Sequence, residues 1–194
     1  MGGSFNPVHI GHILLADYLT QFAGLDEVWL MLSPLNPLKE CPESLIDDGL
    51  RLEMLRIATS ETPRINPCDI ELSMPRPSYT INSLNKLEAE HPDKKFSLVI
   101  GSDNWAIFDH WRQANEIISR FSPIIYPRPG YPVDKTSLLN NVTLVEAPVF
   151  DISSTFLRNS IAAGHNMQLY VPQGVWNFIR THNLYNYSTK NGLQ

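Results

Sequence analysis

Apolar positions along the chain follow two alternating periods, and their alternation predicts an order of helices and strands. Ile10, Leu14, Leu15, Tyr18 and Phe22 share one helical face, and Gly24 stops a helix over Ile10–Phe22. Glu27–Leu32 (EVWLML) is short, apolar and β-prone. After a Pro-rich loop, Gly49–Ser60 predicts a helix with Leu52, Leu55 and Ile57 inward. Arg64–Leu72 predicts a strand, in which Pro67 requires an edge position or a bulge. A helix follows from Ser78, with Leu84 and Leu87 on one face; Phe96–Ile100 (FSLVI) has the pattern of a buried strand that Gly101-Ser102-Asp103 turns into a short helix. Ser122–Tyr126 and Val142–Ala147 are two further strands joined by a Pro/Gly loop, and Ser154–Ala163 and Pro172–Thr181 are helices.

Strands separated by helices predict an α/β, doubly wound, mainly parallel sheet with helices on both faces. The 194 residues fit a single domain over 1–187, with Ser188–Gln194 as a frayed tail, and no internal repeat intervenes. A hydrophobic fraction of 43% against 18% charged residues is that of a globular protein. The net charge of −5, from 15 basic and 20 acidic residues, disfavours a protein that coats nucleic acid and favours a small anionic substrate in a local cradle. Cys41 and Cys68 form no metal or redox motif and fit a reducing cytosol. No apolar run approaches the roughly 18 residues of a membrane span, so a cytoplasmic protein with no membrane partner is expected.

The densest chemistry lies at Gly2–His12. Gly2 and Gly3 let a ligand approach the backbone, Pro7 stiffens the loop, and a helix beginning near Val8–Ile10 turns free N–H groups toward an anion. His9 and His12 share a helical face at that end, where imidazoles can donate to phosphate oxygens and stabilise developing charge. A plain Gly-Pro turn with surface histidines would account for one His but not for the whole combination. No third ligand at suitable spacing supports zinc. A second cluster, Ile152-Ser153-Ser154-Thr155-Phe156-Leu157-Arg158, follows a predicted strand and opens a helix, placing hydroxyls and the planar fork of Arg158 at another positive helix end. Alone, it describes an ordinary capped helix.

Gly3-Ser4-Phe5-Asn6-Pro7-Val8-His9-Ile10-Gly11-His12 resembles the GxFxPxHxGH signature of the HxGH nucleotidyltransferase superfamily, and Ile152–Arg158 resembles its ISSTxxR motif. The resemblance implies that Gly3, Ser4, Phe5, His9, His12, Ser153, Thr155 and Arg158 bind ATP, with His9, His12 and Arg158 catalytic and Ser4 and Phe5 also lining the acceptor side. Intermediate segments are similar to bacterial nicotinate-nucleotide adenylyltransferases: Arg51–Leu55 to RxxML, Ser78–Leu84 to SYTIxTL, Gly101–Asn104 to GxDN and Tyr170–Val175 to YVPxxV. That likeness assigns Gly101 and Asp103 to the adenosine ribose, and Lys39, Tyr79, Thr80 and Trp111 to the pyridine nucleotide. Each has a plainer role available: Trp111 packing on Phe108, Asp103 or Thr80 capping a helix, Lys39 solvated. The loop Pro34–Lys39 departs from the family pattern, with Leu38 where a His is usual.

The implied reaction is adenylyl transfer from ATP, with Mg²⁺, to nicotinate mononucleotide in NAD biosynthesis. An ionised 5′-phosphate attacks the α-phosphorus without a general base, and His9, His12, Thr155, Arg158 and helix ends serve as fixed positive poles. A pantetheine-phosphate adenylyltransferase, a cytidylyltransferase and a non-catalytic nucleotide-binding paralogue stay open, as does the choice between nicotinate and nicotinamide mononucleotide. The superfamily fold also has a central strand before its glycine loop, where this sequence has only Met1. A missing first strand, from a truncated start, is therefore expected.

Overall fold

The computed structural model describes residues 1–34 and 45–187. Within them the strands are β1 (Gly2–Gly3), β2 (Val28–Leu32), β3 (Ile65–Cys68), β4 (Val99–Gly101), β5 (Ile124–Tyr126) and β6 (Thr143–Leu144). The α-helices are α1 (Ile10–Phe22), α2 (Asp48–Thr59), α3 (Thr80–Glu90), α4 (Ser102–Trp105), α5 (Ala114–Phe121), α6 (Ser154–Ala162) and α7 (Val175–Thr181). Lys39, Leu38 and the expected tail 188–194 lie outside the described residues. No described helix is long and apolar enough to cross a membrane.

Every strand ladder is parallel, in the orders β1-β2-β3 and β4-β5-β6. The expected parallel sheet is thus present as two three-stranded pieces, and among the described residues no ladder joins β1 to β4. The first strand, expected to be missing, is present over two residues: Gly2 pairs with Met31 and Gly3 with Leu32. Two glycines bring no side chain to a core, so β1 is held by its backbone. Met1 donates its amino group to the Trp29 carbonyl at 2.9 Å, and the Ser33 N–H donates to the Gly3 carbonyl at 2.9 Å.

Alternation along the strands builds both faces. On β2, Val28, Leu30 and Leu32 enter the main core, with Leu15 and Leu19 of α1, Leu52 and Leu55 of α2, Leu157 of α6 and Ile179 of α7. Met31 points the other way, against Cys68, Ile70 and Leu87. On β4, Val99 joins the main core while Leu98 and Ile100 meet Ile81 and Leu84 of α3 and Ile117 and Phe121 of α5. Helices therefore cover both faces, as the pattern predicts.

Local differences have local causes. Pro67 lies in β3, which pairs only with β2 and so is an edge strand, where a missing N–H is tolerated. The predicted strand Arg64–Leu72 stops at Cys68, because Ile70–Ser73 coils into a 3₁₀ turn that sends Glu71 inward. Its carboxylate accepts the hydroxyls of Ser78 (3.2 Å) and Ser83 (2.6 Å), which ties down the entry to α3 and delays that helix to Thr80. The last helix begins at Val175 rather than Pro172 because Gly174, at φ 85°, turns the chain into it.

Candidate active site

In parallel sheets, ligand sites form beyond the carboxyl ends of the strands. Here the loop after β1, the Gly101–Asp103 turn after β4, Arg128 after β5 and the start of α6 supply the candidate groups.

The loop after β1 is built to aim His12. A Cβ on Gly3 would come within 3.0 Å of the Phe5 ring, so a larger residue there would push that ring out of place. Phe5 adopts a left-handed φ of 44°, and its buried ring meets His12 edge-on at 4.9 Å. Its side chain thus props a histidine, and only its backbone is offered to a ligand. His9 and His12 stack at 3.6 Å. The His9 backbone N–H donates to Nδ1 of His12 at 3.1 Å, which puts the proton of a neutral His12 on Nε2. Burial first, and then the charge of Arg128, lowers the pKa of His9 from 6.5 to about 3. With no anion beside it, His9 is therefore neutral near pH 7, a dipole rather than the fixed charge expected of it.

The two sequence motifs, about 150 residues apart, meet directly. Ser153 caps α6 by accepting the Phe156 N–H at 3.1 Å, and Ser154 donates to the Pro7 carbonyl at 2.9 Å. Arg158 donates to the Asn6 carbonyl at 2.9 Å and to the Thr155 hydroxyl at 3.3 Å. The helix end that carries Ser153, Thr155 and Arg158 is thereby fixed against the His9–His12 loop.

Two residues that sequence reasoning missed brace this junction. The Tyr185 hydroxyl donates to Oδ1 of Asn6 at 3.0 Å. Arg51, with no exposed surface, donates to the carbonyls of Ser4 (2.6 Å), Ser33 (3.0 Å), Ile46 (3.2 Å) and Pro34 (3.4 Å) and pairs with Asp48. Its place at the head of the Arg51–Leu55 motif was the available signal. Tyr185 had none.

Beside the loop, a cavity of about 250 Å³ is lined by Gly3, Glu71, Tyr79, Thr80, Trp111 and Arg112, among others. It brings the expected pyridine-side residues Tyr79, Thr80 and Trp111 together, with Gly3 and Gly101 also on its wall. Trp111 does pack on Phe108, at 5.1 Å, yet among the described residues its buried indole N–H has no acceptor. Thr80 and Asp103 do not cap their helices; α3 and α4 have no side-chain cap. The Asp103 carboxylate folds over the strand end into the space that a Cβ on Gly101 would take. Arg128, also missed, lies 3.9 Å from Asp103 and donates its backbone N–H to Ser102 at 2.9 Å. Among the described residues no three His, Cys, Asp or Glu side chains group to hold a metal ion.

Residues 1–160 match the cytidylyltransferase-like family model. A relative from Bacteroides thetaiotaomicron, named probable nicotinate-nucleotide adenylyltransferase, is 49% identical over 92% of this chain and 88% of its own length. One of the same name from Bacteroides fragilis is 47% identical over 90% of this chain and 86% of its own. Among solved structures, the Plasmodium falciparum nicotinic acid mononucleotide adenylyltransferase complexed with NaAD superposes with a TM-score of 0.77, at 21% identity and 96% coverage of both chains. At that identity the superposition speaks for the fold.

Proposed function

We infer the function from one premise: this chain belongs to the cytidylyltransferase-like family and, within it, to the nicotinate-nucleotide adenylyltransferases. We propose that it transfers the adenylyl group of ATP to nicotinate mononucleotide, giving deamido-NAD and pyrophosphate, in the cytoplasm as a step of NAD biosynthesis. The observation that carries this is the docking of α6 onto the His9–His12 loop, through Arg158 on Asn6 and Ser154 on Pro7, beside a cavity walled by Tyr79, Thr80 and Trp111.

An oxygen of the acceptor's 5′-phosphate attacks the α-phosphorus, that P–O bond forms as the bond to the bridging oxygen breaks, and pyrophosphate leaves with the electron pair. The attacking phosphate is already ionised, so the protein's work is alignment and stabilisation of charge. His12 donates through Nε2–H, while Thr155, Arg158 and the amino end of α6 hold the outgoing phosphates. Neutral His9 fixes the orientation of His12. Mg²⁺ bound to ATP would screen the triphosphate.

Pyrophosphate release should be measured with ATP or CTP against nicotinate mononucleotide, nicotinamide mononucleotide and phosphopantetheine. Highest kcat/KM for ATP with a pyridine mononucleotide is expected. Preference for CTP or phosphopantetheine, or no release at all, would contradict the proposal.

A further inference from the structure

At the carboxyl edge of β4 and β5, one buried donor and one buried acceptor face each other without meeting. The two strands pair in parallel with Gly101 beside Tyr126, so the residues next but one along each, Asp103 and Arg128, leave the sheet side by side. Ser102 ties the two turns together by accepting the Arg128 backbone N–H at 2.9 Å. The guanidinium lies over the Tyr126 ring at 5.2 Å and donates through Nη2 to the Tyr126 hydroxyl at 3.0 Å. A Cβ on Gly101 would stand 2.3 Å from Oδ1 of Asp103 and 3.2 Å from Nε of Arg128, so both side chains fold into the same space. The Arg128 and Asp103 side chains are 37% and 38% exposed, yet these two atoms are buried and have no hydrogen-bond partner among the described residues. They stand 3.9 Å apart, an ion pair too long for a hydrogen bond.

One oxygen that accepts from Nε and donates to Oδ1, about 2.9 Å from each, closes this gap. A hydroxyl does both at a single atom; an ionised phosphate oxygen cannot donate, and an ammonium cannot accept. Both substrates of the proposed reaction carry hydroxyls on their sugars. After burial, the charge of Arg128 is what lowers the pKa of His9, so the pair faces the His9–His12 loop, the ATP side of the site. We propose that Arg128 is a nucleotide-binding residue that, with Asp103, clamps one sugar hydroxyl of ATP between a donor and an acceptor. This rests on the function proposed above and deepens it. Asp103 alone asks only that the hydroxyl donate, whereas Arg128 adds the demand that the same oxygen accept. A sugar without that hydroxyl leaves both buried atoms unpaired, and discrimination follows from that cost. Arg128 acts here through Nε, an atom that lysine lacks.

Turnover with nicotinate mononucleotide should be compared for ATP, 2′-deoxy-ATP and 3′-deoxy-ATP in the parent, Arg128→Met and Arg128→Lys, each checked for folding by its melting curve. In the parent, one of the two deoxy analogues should lose about ten- to a hundredfold in kcat/KM relative to ATP. Arg128→Met should lower that ratio by about tenfold, through KM for ATP, with KM for the mononucleotide unchanged. Arg128→Lys, which restores the charge but not Nε, should leave the ratio low. A parent that does not discriminate, a ratio kept within about twofold in Arg128→Met, an equal loss for ATP and both analogues, or recovery by Arg128→Lys would each overturn the inference and leave the function standing. A rise confined to KM for the mononucleotide would place the hydroxyl on the other substrate and overturn it too. A parent that releases no pyrophosphate from ATP and nicotinate mononucleotide would overturn the function, and the inference with it.

Discussion

The loop at His9–His12 and the cavity at Trp111–Arg112 stand next to each other and are built on opposite terms. Around the loop, most polar groups are bonded to one another: Arg158 and Tyr185 on Asn6, Ser154 on Pro7, Arg51 on four carbonyls, the His9 backbone on His12; the buried His9 Nδ1 is the exception among the described residues. In the cavity, the buried Trp111 indole N–H has no acceptor among the described residues, and the Arg112 guanidinium lies exposed over the Tyr79 ring. The difference matches two tasks. Phosphoryl chemistry gains from donors that need not move as charge develops. Choosing a ring gains from donors left unsatisfied until the right acceptor arrives, because the wrong one leaves them unpaired.

Removing the central brace should break the first region most severely. Arg51→Met leaves buried carbonyls of Ser4, Ser33, Pro34 and Ile46 without their donor, and a loss of about 3–5 kcal/mol in stability is expected from urea unfolding. A loss under about 1 kcal/mol would mean that the loop is not held from this side. Next in size, His12→Ala should lower kcat by about 10²–10³-fold, or about 2.7–4 kcal/mol, with little change in melting temperature. Turnover within a few-fold of the parent would remove His12 from the chemistry and erase the contrast with the cavity.

A third effect, nil at neutral pH and growing with acid, sharpens the comparison. The pKa of His9 is depressed on folding, so the unfolded chain takes up this proton first as the solution is acidified. Its contribution to stability is complete above about 6.5 and is lost as pH falls toward 3. The slope approaches about 1.4 kcal/mol per pH unit for this one group. His9→Gln should flatten the pH dependence of unfolding between those limits relative to the parent. Identical slopes would show that His9 is not held neutral by burial.

Much of this was readable from residues, and the remainder was hidden for physical reasons. The spacing of Ile10, Leu14, Leu15 and Phe22 marks α1 at its observed bounds, and Pro67 marks an edge strand. The motifs at His9–His12 and Ser153–Arg158 were each readable as a helix start bearing polar groups, and the structure brings the two into contact. Glu71, Arg112, Arg128 and Tyr185 escaped because their partners are distant in sequence and their types are common. The charge state of His9 escaped as well, since burial is a property of the fold. The division of the sheet was not readable either: among the described residues the two glycines of β1 pair with β2 alone.

The central claim, attack at the α-phosphorus of ATP, is most directly tested by following ATP labelled in its α-phosphate during turnover with nicotinate mononucleotide. The account predicts that the label appears in the dinucleotide, one for each pyrophosphate released. Label left in free AMP, or released inorganic phosphate in place of pyrophosphate, would contradict it.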